Sequence, residues 1–303
     1  MGRRWVFYIA AIVTAGFTVL LCFMNESRPS LLLSRKLTHL QSVVGSRDFR
    51  IHNPDHTPNF HAFARTALIR PITLFFTEPI VFLVSIMSAM GWALIYLFTE
   101  SLPIVYHEFG MTREESSLMF LVIAAGILIS ILPRVHDDRL VAQRHDSDEH
   151  IQPEEKLIGF IFAAPSLACG LWWLVLTTPP ASTLPWYGTI FGLILIGFAT
   201  NEFVCTLSGY LADTYTIYTS SASVALAFLR AVLAGLFPLM GEPMYKKLGT
   251  NWATVVLASV ATIFCVTPVL FRTYGARIRQ RSKFAKYSIK VNRETRIEDE
   301  NVI

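Results

Sequence analysis

Residues 80–98 read IVFLVSIMSAMGWALIYLF, nineteen positions without one charged side chain, set between Glu78-Pro79 and Thr99-Glu100. A hydrocarbon core about 30 Å thick is crossed by about 20 helical residues, because in lipid every backbone group has to be bonded within its own segment. This stretch meets that requirement, and the chain repeats it. Residues 5–24, 117–132, 157–176, 186–208, 222–240 and 252–271 are also long and apolar, 117–132 being the shortest. Of the 26 Lys and Arg and 22 Asp and Glu, only Glu202 and Arg230 lie deep within any of these stretches. With 53% hydrophobic residues and no polar face on the candidate helices, a soluble helical protein is excluded. The expected fold class is all-α: a polytopic membrane protein of about seven transmembrane helices.

Orientation follows from where positive charge falls, since Lys and Arg are retained on the cytoplasmic side. Seven lie between the first and second stretches, four between the third and fourth, and nine after the seventh. The opposite side holds Arg3, Arg4, Arg113, Lys246 and Lys247. An outside N-terminus and a cytoplasmic C-terminus are therefore expected; the expected location is the plasma membrane. The net charge of +4 is a topology signal and implies no nucleic acid. Trp172, Trp173, Trp186, Tyr187 and Trp252 all fall at outer span ends, as interfacial aromatics do. The four cysteines sit inside apolar stretches and read as small hydrophobes. Cys22-Phe23-Met24-Asn25 after the first stretch offers no small-residue cleavage site, so that stretch reads as an uncleaved anchor.

The expected organisation is a first transmembrane helix over 1–24, a cytoplasmic linker over 25–76, a six-helix transmembrane bundle over 77–272 and a basic cytoplasmic tail over 273–303. Within the linker, Leu33, Leu37, Leu40 and Val44 recur at helical spacing among Arg35, Lys36 and His39, the pattern of an amphipathic surface helix. His52, Asp55, His56 and His61 follow, but Pro54 and Pro58 break any helical face that would align them, so no metal site and no cofactor are expected. Residues 133–156 carry seven acids and four bases and read as a solvated connection. Ala227, Ala231, Ala234 and Gly235 form a small-residue face suited to close helix approach.

The run 70–81, RPITLFFTEPIV, with Leu94-Ile95-Tyr96-Leu97-Phe98, resembles the seventh helix of fungal major facilitator superfamily transporters of the drug:proton antiporter type. Pro153-Glu154-Glu155-Lys156-Leu157 is similar to their approach to the ninth helix, and Tyr210-Leu211-Ala212-Asp213-Thr214-Tyr215 to the end of the tenth. Phe228-Leu229-Arg230 with Phe237-Pro238-Leu239 resembles the eleventh, and Leu248-Gly249-Thr250-Asn251-Trp252-Ala253 the entry to the twelfth. Residues 3–40 look like the sixth helix and central linker. Gly209 stands where that family usually has Asn, and Lys156 where it usually has Arg. The resemblance implies the C-terminal six-helix bundle of a major facilitator fold, preceded by the last helix of the other half. Counterparts of helices one to five are absent from the sequence. The expectation is an incomplete version of a longer protein, with little activity alone unless a second half-transporter or a homodimer completes it.

The function so implied is secondary transport without enzymatic chemistry: export of small amphipathic organic compounds, drugs or toxins, by proton antiport. The partners are the lipid bilayer, an organic substrate and protons. A seven-span receptor or a non-transporting membrane partner protein is the alternative. An ionisable group within a span costs about 3 kcal/mol on insertion scales and normally faces a bundle interior or a water cavity. Glu202 and Arg230 are therefore the candidates for proton coupling or substrate binding, and their similar depths allow them to pair. The opposing reading is a structural ion pair. Asp213 is either a gate residue, as the resemblance suggests, or a helix cap; Tyr210 beside it is a further gating candidate. Glu78 precedes Pro79 at a span entrance, where an acid complements the helix N-terminus, and is the third gating candidate. Glu100, Glu108, Glu114 and Glu115 read as an acidic outer loop.

Overall fold

A computed structural model describes residues 3–23, 29–44, 68–145, 156–282 and 284–288. The histidines at 52, 56 and 61, the connection at 146–155 and the tail from 289 lie outside the described residues. The chain divides into two compact units, Met1–Phe63 and Ala64–Ile303. The first holds α1 (Arg3–Cys22), whose continuous apolar part is Phe7–Cys22, and α2 (Pro29–Val44), which covers the expected amphipathic stretch.

The second unit is a bundle of helices. It comprises α3 (Arg70–Thr77), α4 (Pro79–His107), α5 (Arg113–Ser117), α6 (Met119–Ile129), α7 (Ile131–His145) and α8 (Ile158–Thr177). These are followed by α9 (Ile190–Thr214), α10 (Thr219–Leu248), α11 (Thr250–Phe264) and α12 (Val266–Arg281). Among the described residues six helical runs are long and apolar enough to cross a membrane: Pro79–His107, Arg113–Asp137, Ile158–Thr177, Trp186–Thr214, Thr216–Leu248 and Thr250–Gly275. The chain is thus an all-α, multi-pass integral membrane protein. Local chemistry sets the boundaries. Pro79 opens α4 where its missing N–H costs nothing, a Thr112–Glu115 capping box starts α5, and Gly249, at φ +79°, breaks the chain between α10 and α11.

Three elements differ from expectation. Helix α4 runs on from the apolar 80–98 through Glu100 to His107, so Glu100 is helical and pairs with Arg113 at 3.9 Å, while Glu108 accepts a 2.6 Å hydrogen bond from Thr250. Hydropathy measures the part of a helix that meets lipid, and a helix is free to continue beyond it. Residues 133–145, part of the stretch read as solvated connection, are helical within α7, because Pro133 lies in the first turn where proline is tolerated. The start of the basic tail is also ordered. Residues 284–288 form a helical turn whose Ala285 and Ser288 are buried, with the Phe284 ring 5.2 Å from that of Tyr218.

Helix α9 is the centre of the bundle, packing on α8, α6 and α4, with α10 laid along the other side of α4 and α11 along α8. Bilayers supply no hydrophobic force between helices, so association depends on close backbone approach. That approach occurs at glycines. A Cβ on Gly197 would lie 2.1 Å from the Ile123 carbonyl oxygen, and one on Gly126 would lie 2.2 Å from that of Ile194. Gly170 and Gly192 meet similarly between α8 and α9. The expected small-residue face on α10 is not used in this way: Ala231 and Gly235 are exposed, and nothing lies within 4 Å of a Cβ placed on Gly235.

Candidate functional site

Glu202 lies halfway along α9 and is fully buried. Its partner is not Arg230. Arg134, from the first turn of α7, reaches across with Nη2 2.9 Å from Glu202 Oε2. Thr206, one turn further along α9, donates to the same oxygen at 2.8 Å and itself accepts from Arg134 Nη2. The neighbouring Asn201 donates to Ser130 at 2.6 Å, so the α6–α7 junction is fastened to α9 by two adjacent polar contacts. Arg230 is instead stacked on the indole of Trp92, its guanidinium carbon 5.2 Å from the ring centroid. Equal depth along two helices was insufficient to predict pairing, because α10 packs against α4 while Glu202 turns toward α7 and α8.

Room for the carboxylate comes from α8. A Cβ on Gly159 would stand 2.2 Å from Glu202 Oε2 and 3.0 Å from Thr206 Oγ1. Gly159→Ala is therefore expected to displace the carboxylate and weaken the pair, costing about 1–3 kcal/mol, with most of that cost vanishing in a Glu202→Ala background. Thermal unfolding of the four proteins of this cycle in detergent measures the coupling; additive losses would contradict the geometry. Glu202 Oε1 and Arg134 Nε, both buried, have no hydrogen-bond partner among the described residues. Buried polar atoms are as a rule hydrogen-bonded, so these two orphans set the pair apart from the other ion pairs among the described residues.

The three gating candidates gather at the same end of the bundle, in separate contacts. Asp213, in the last turn of α9, is not a helix cap: its Oδ2 lies 2.8 Å from Lys156 Nζ at the entrance to α8. Both groups are about one-third exposed, which places this pair in the weak class of surface ion pairs. Glu78 makes no side-chain cap on α4. Its buried carboxylate accepts a 3.1 Å hydrogen bond from Tyr215. Burial raises the Tyr215 phenol far above its ordinary value and the adjacent Glu78 charge adds to the rise, so Tyr215 remains a proton donor at any physiological pH. Tyr210 is a core residue: it is 2% exposed, its ring 5.5 Å from that of Phe271, which also meets Phe160.

Arg134 is the residue that sequence reasoning missed. Its stretch reads as a solvated connection, although the stripe Met119, Ile123, Gly126 and Ser130, buried in the bundle, continues at helical spacing to 134 straight through Pro133. That continuation is the signal that would have found it.

Six apolar helical runs with buried polar contacts between them define a multi-pass membrane protein. The chain belongs to the Major Facilitator Superfamily, whose family model matches residues 1–238. Among curated relatives, the MFS-type efflux pump MFS2 of Trichophyton rubrum is 31% identical over 94% of this chain and 48% of its own length. The MFS transporter prlG of a fungal species is 32% identical over 93% of this chain and 60% of its own. The major facilitator superfamily multidrug transporter FLU1 of Candida albicans is 26% identical over 94% and 47%. This chain thus spans about half the length of the curated relatives it matches. No solved structure matches it.

Proposed function

We propose that this bundle is one wall of a secondary transporter that exports small amphipathic organic compounds in exchange for protons. The carrying observation is the Glu202–Arg134 pair: a buried carboxylate with one oxygen held by a neighbouring helix and the other unpartnered. A proton taken up on Oε1 removes the charge that holds Arg134, freeing the α6–α7 arm from α9; release of the proton re-forms the contact. That couples protonation to movement at one end of the bundle, where Asp213–Lys156 and Glu78–Tyr215 are the further contacts that open and close. Relatives described as efflux pumps and as a multidrug transporter support export of organic compounds. The excess of Lys and Arg supports placing this end in the cytoplasm of a plasma-membrane protein.

Alternating access rocks two bundles about a site between them. Helix α10 and the Arg113–Asp137 run form the open side here, with 17% and 22% of their apolar windows buried against 61% for α4. The unused small-residue face of α10 lies on that side. A second bundle, from a half-transporter or another copy, completes the passage in this reading. The receptor alternative gains no support from the family.

The test is accumulation of an anionic, a neutral and a cationic amphipathic dye (fluorescein, Nile red and rhodamine 6G) in inside-out vesicles under an interior-acid gradient. Uptake abolished by nigericin and reduced about tenfold or more by Glu202→Gln is expected. Uptake indifferent to the gradient, or to that substitution, would reject proton coupling through Glu202.

A further inference from the structure

Arg230 is in no ion pair among the described residues. Among the described residues no carboxylate approaches it, although the bundle's other deeply placed charge, Glu202, is matched at 2.9 Å. It stands eleven residues into α10, about 16 Å along the axis from the start of that helix. Its guanidinium lies over the face of Trp92. An isolated guanidinium at this depth is disfavoured against lipid, so the α4–α10 seam that carries it does not face hydrocarbon.

The surroundings are specific. Among the described residues Trp92 Nε1 is buried without an acceptor, and the Ser88 and Ser85 hydroxyls, buried and also unpartnered, share its helical face at spacings of four and seven residues. Tyr96, one turn beyond Trp92, is exposed and tilted at 32° to it, with ring centroids 6.3 Å apart. The seam thus places beside this cation an indole N–H, two buried hydroxyls and a wall of two aromatic rings, and among the described residues no carboxylate lies within ion-pairing distance of Arg230. That set is complementary to a flat organic anion and repels a cation.

We propose that the α4–α10 seam binds the carboxylate of a small aromatic acid, with Arg230 as anchor and Trp92 and Tyr96 as the ring platform. As a statement about cargo it rests on the transporter reading above; as a binding site it does not. The chain in lipid nanodiscs, with empty nanodiscs as control, is titrated by equilibrium dialysis with 1-naphthoate, 1-naphthamide and 1-naphthylmethylammonium. Naphthoate is expected to bind about tenfold or more tighter than the amide, and the cation weakest. Arg230→Gln erases the preference, Arg230→Lys keeps part of it, and Trp92→Phe, which retains a ring but no N–H, weakens it less than Arg230→Gln. Equal affinity for the three probes, preference for the cation, or absence of protein-dependent binding overturns the proposal; these contrasts hold on the unsubstituted chain even if a variant fails to insert. Anion preference without gradient-driven export would remove the transport reading and keep the site, whereas gradient-driven export of neutral compounds without anion preference would do the reverse.

Discussion

Replacing Arg134 by Met is expected to destabilise the bundle by about 3–5 kcal/mol, more than replacing Arg134 by Met and Glu202 by Gln together. The single change strands a carboxylate that is fully buried, with Thr206 as its one remaining donor. Water cannot easily reach it, because Gly159 of α8 is packed against the same oxygen. The double change leaves neutral groups of similar volume. The two truncations are also unequal: Arg134 keeps one-third of its side chain exposed and can rehydrate, so Glu202→Gln costs less than Arg134→Met. Unfolding in mixed detergent micelles, followed by helical circular dichroism, reports all four members of the cycle. A single Arg134→Met variant as stable as the double one would show that the contact carries no coupling.

Gly197→Leu is expected to be the most damaging apolar substitution in the bundle, costing about 3 kcal/mol and separating α6 from α9. The atoms that its Cβ would meet are all backbone: the Ile123 carbonyl oxygen, carbon and Cα at 2.1, 2.9 and 3.1 Å. A side chain can rotate away from a clash, but a helix has to move as a unit. Reciprocal contact at Gly126 means that no shift along the axis relieves the strain. The separation also loosens Ser130–Asn201 and Arg134–Glu202, which lie on the same seam. Gly209→Ala is the control, since open space surrounds that position, and a helical Gly→Ala change there is expected to be neutral or to stabilise by about 0.5–1 kcal/mol. Equal melting behaviour of the Gly197→Leu and Gly209→Ala proteins would refute the close contact.

The number and type of the bundle's spans were legible because exclusion of charge from lipid is written directly into composition. Family membership was legible from short runs such as 70–81 and 210–215. What could not be read was which helix faces which. Glu202 and Arg230 have matching depth, yet depth along an axis says nothing of rotation about it, and their helices turn these residues to different neighbours. The close approaches were also misplaced: Ala231 and Gly235 look suited to packing, while the backbone contacts fall at Gly126 and Gly197, whose partners are distant in sequence. Helix ends were underestimated at Glu100 and Arg134 for one reason. A falling hydropathy marks the edge of the membrane, whereas hydrogen bonding continues for as long as the backbone allows. Glu78 and Tyr215 lie 137 positions apart, and no local pattern joins them.

Tyr218 gives the bundle a property that ordinary helical hairpins lack. Arg70, at the head of the first helix, lies 5.3 Å above its ring, and Phe284, just past the last helix, lies 5.2 Å from it on the exit strand of the chain. Thr216 and Ser288 reinforce the same junction with a hydroxyl contact. The way in and the way out of the unit are therefore fastened to a single knot. Losing that one ring would therefore untie the entry and the exit of the unit together.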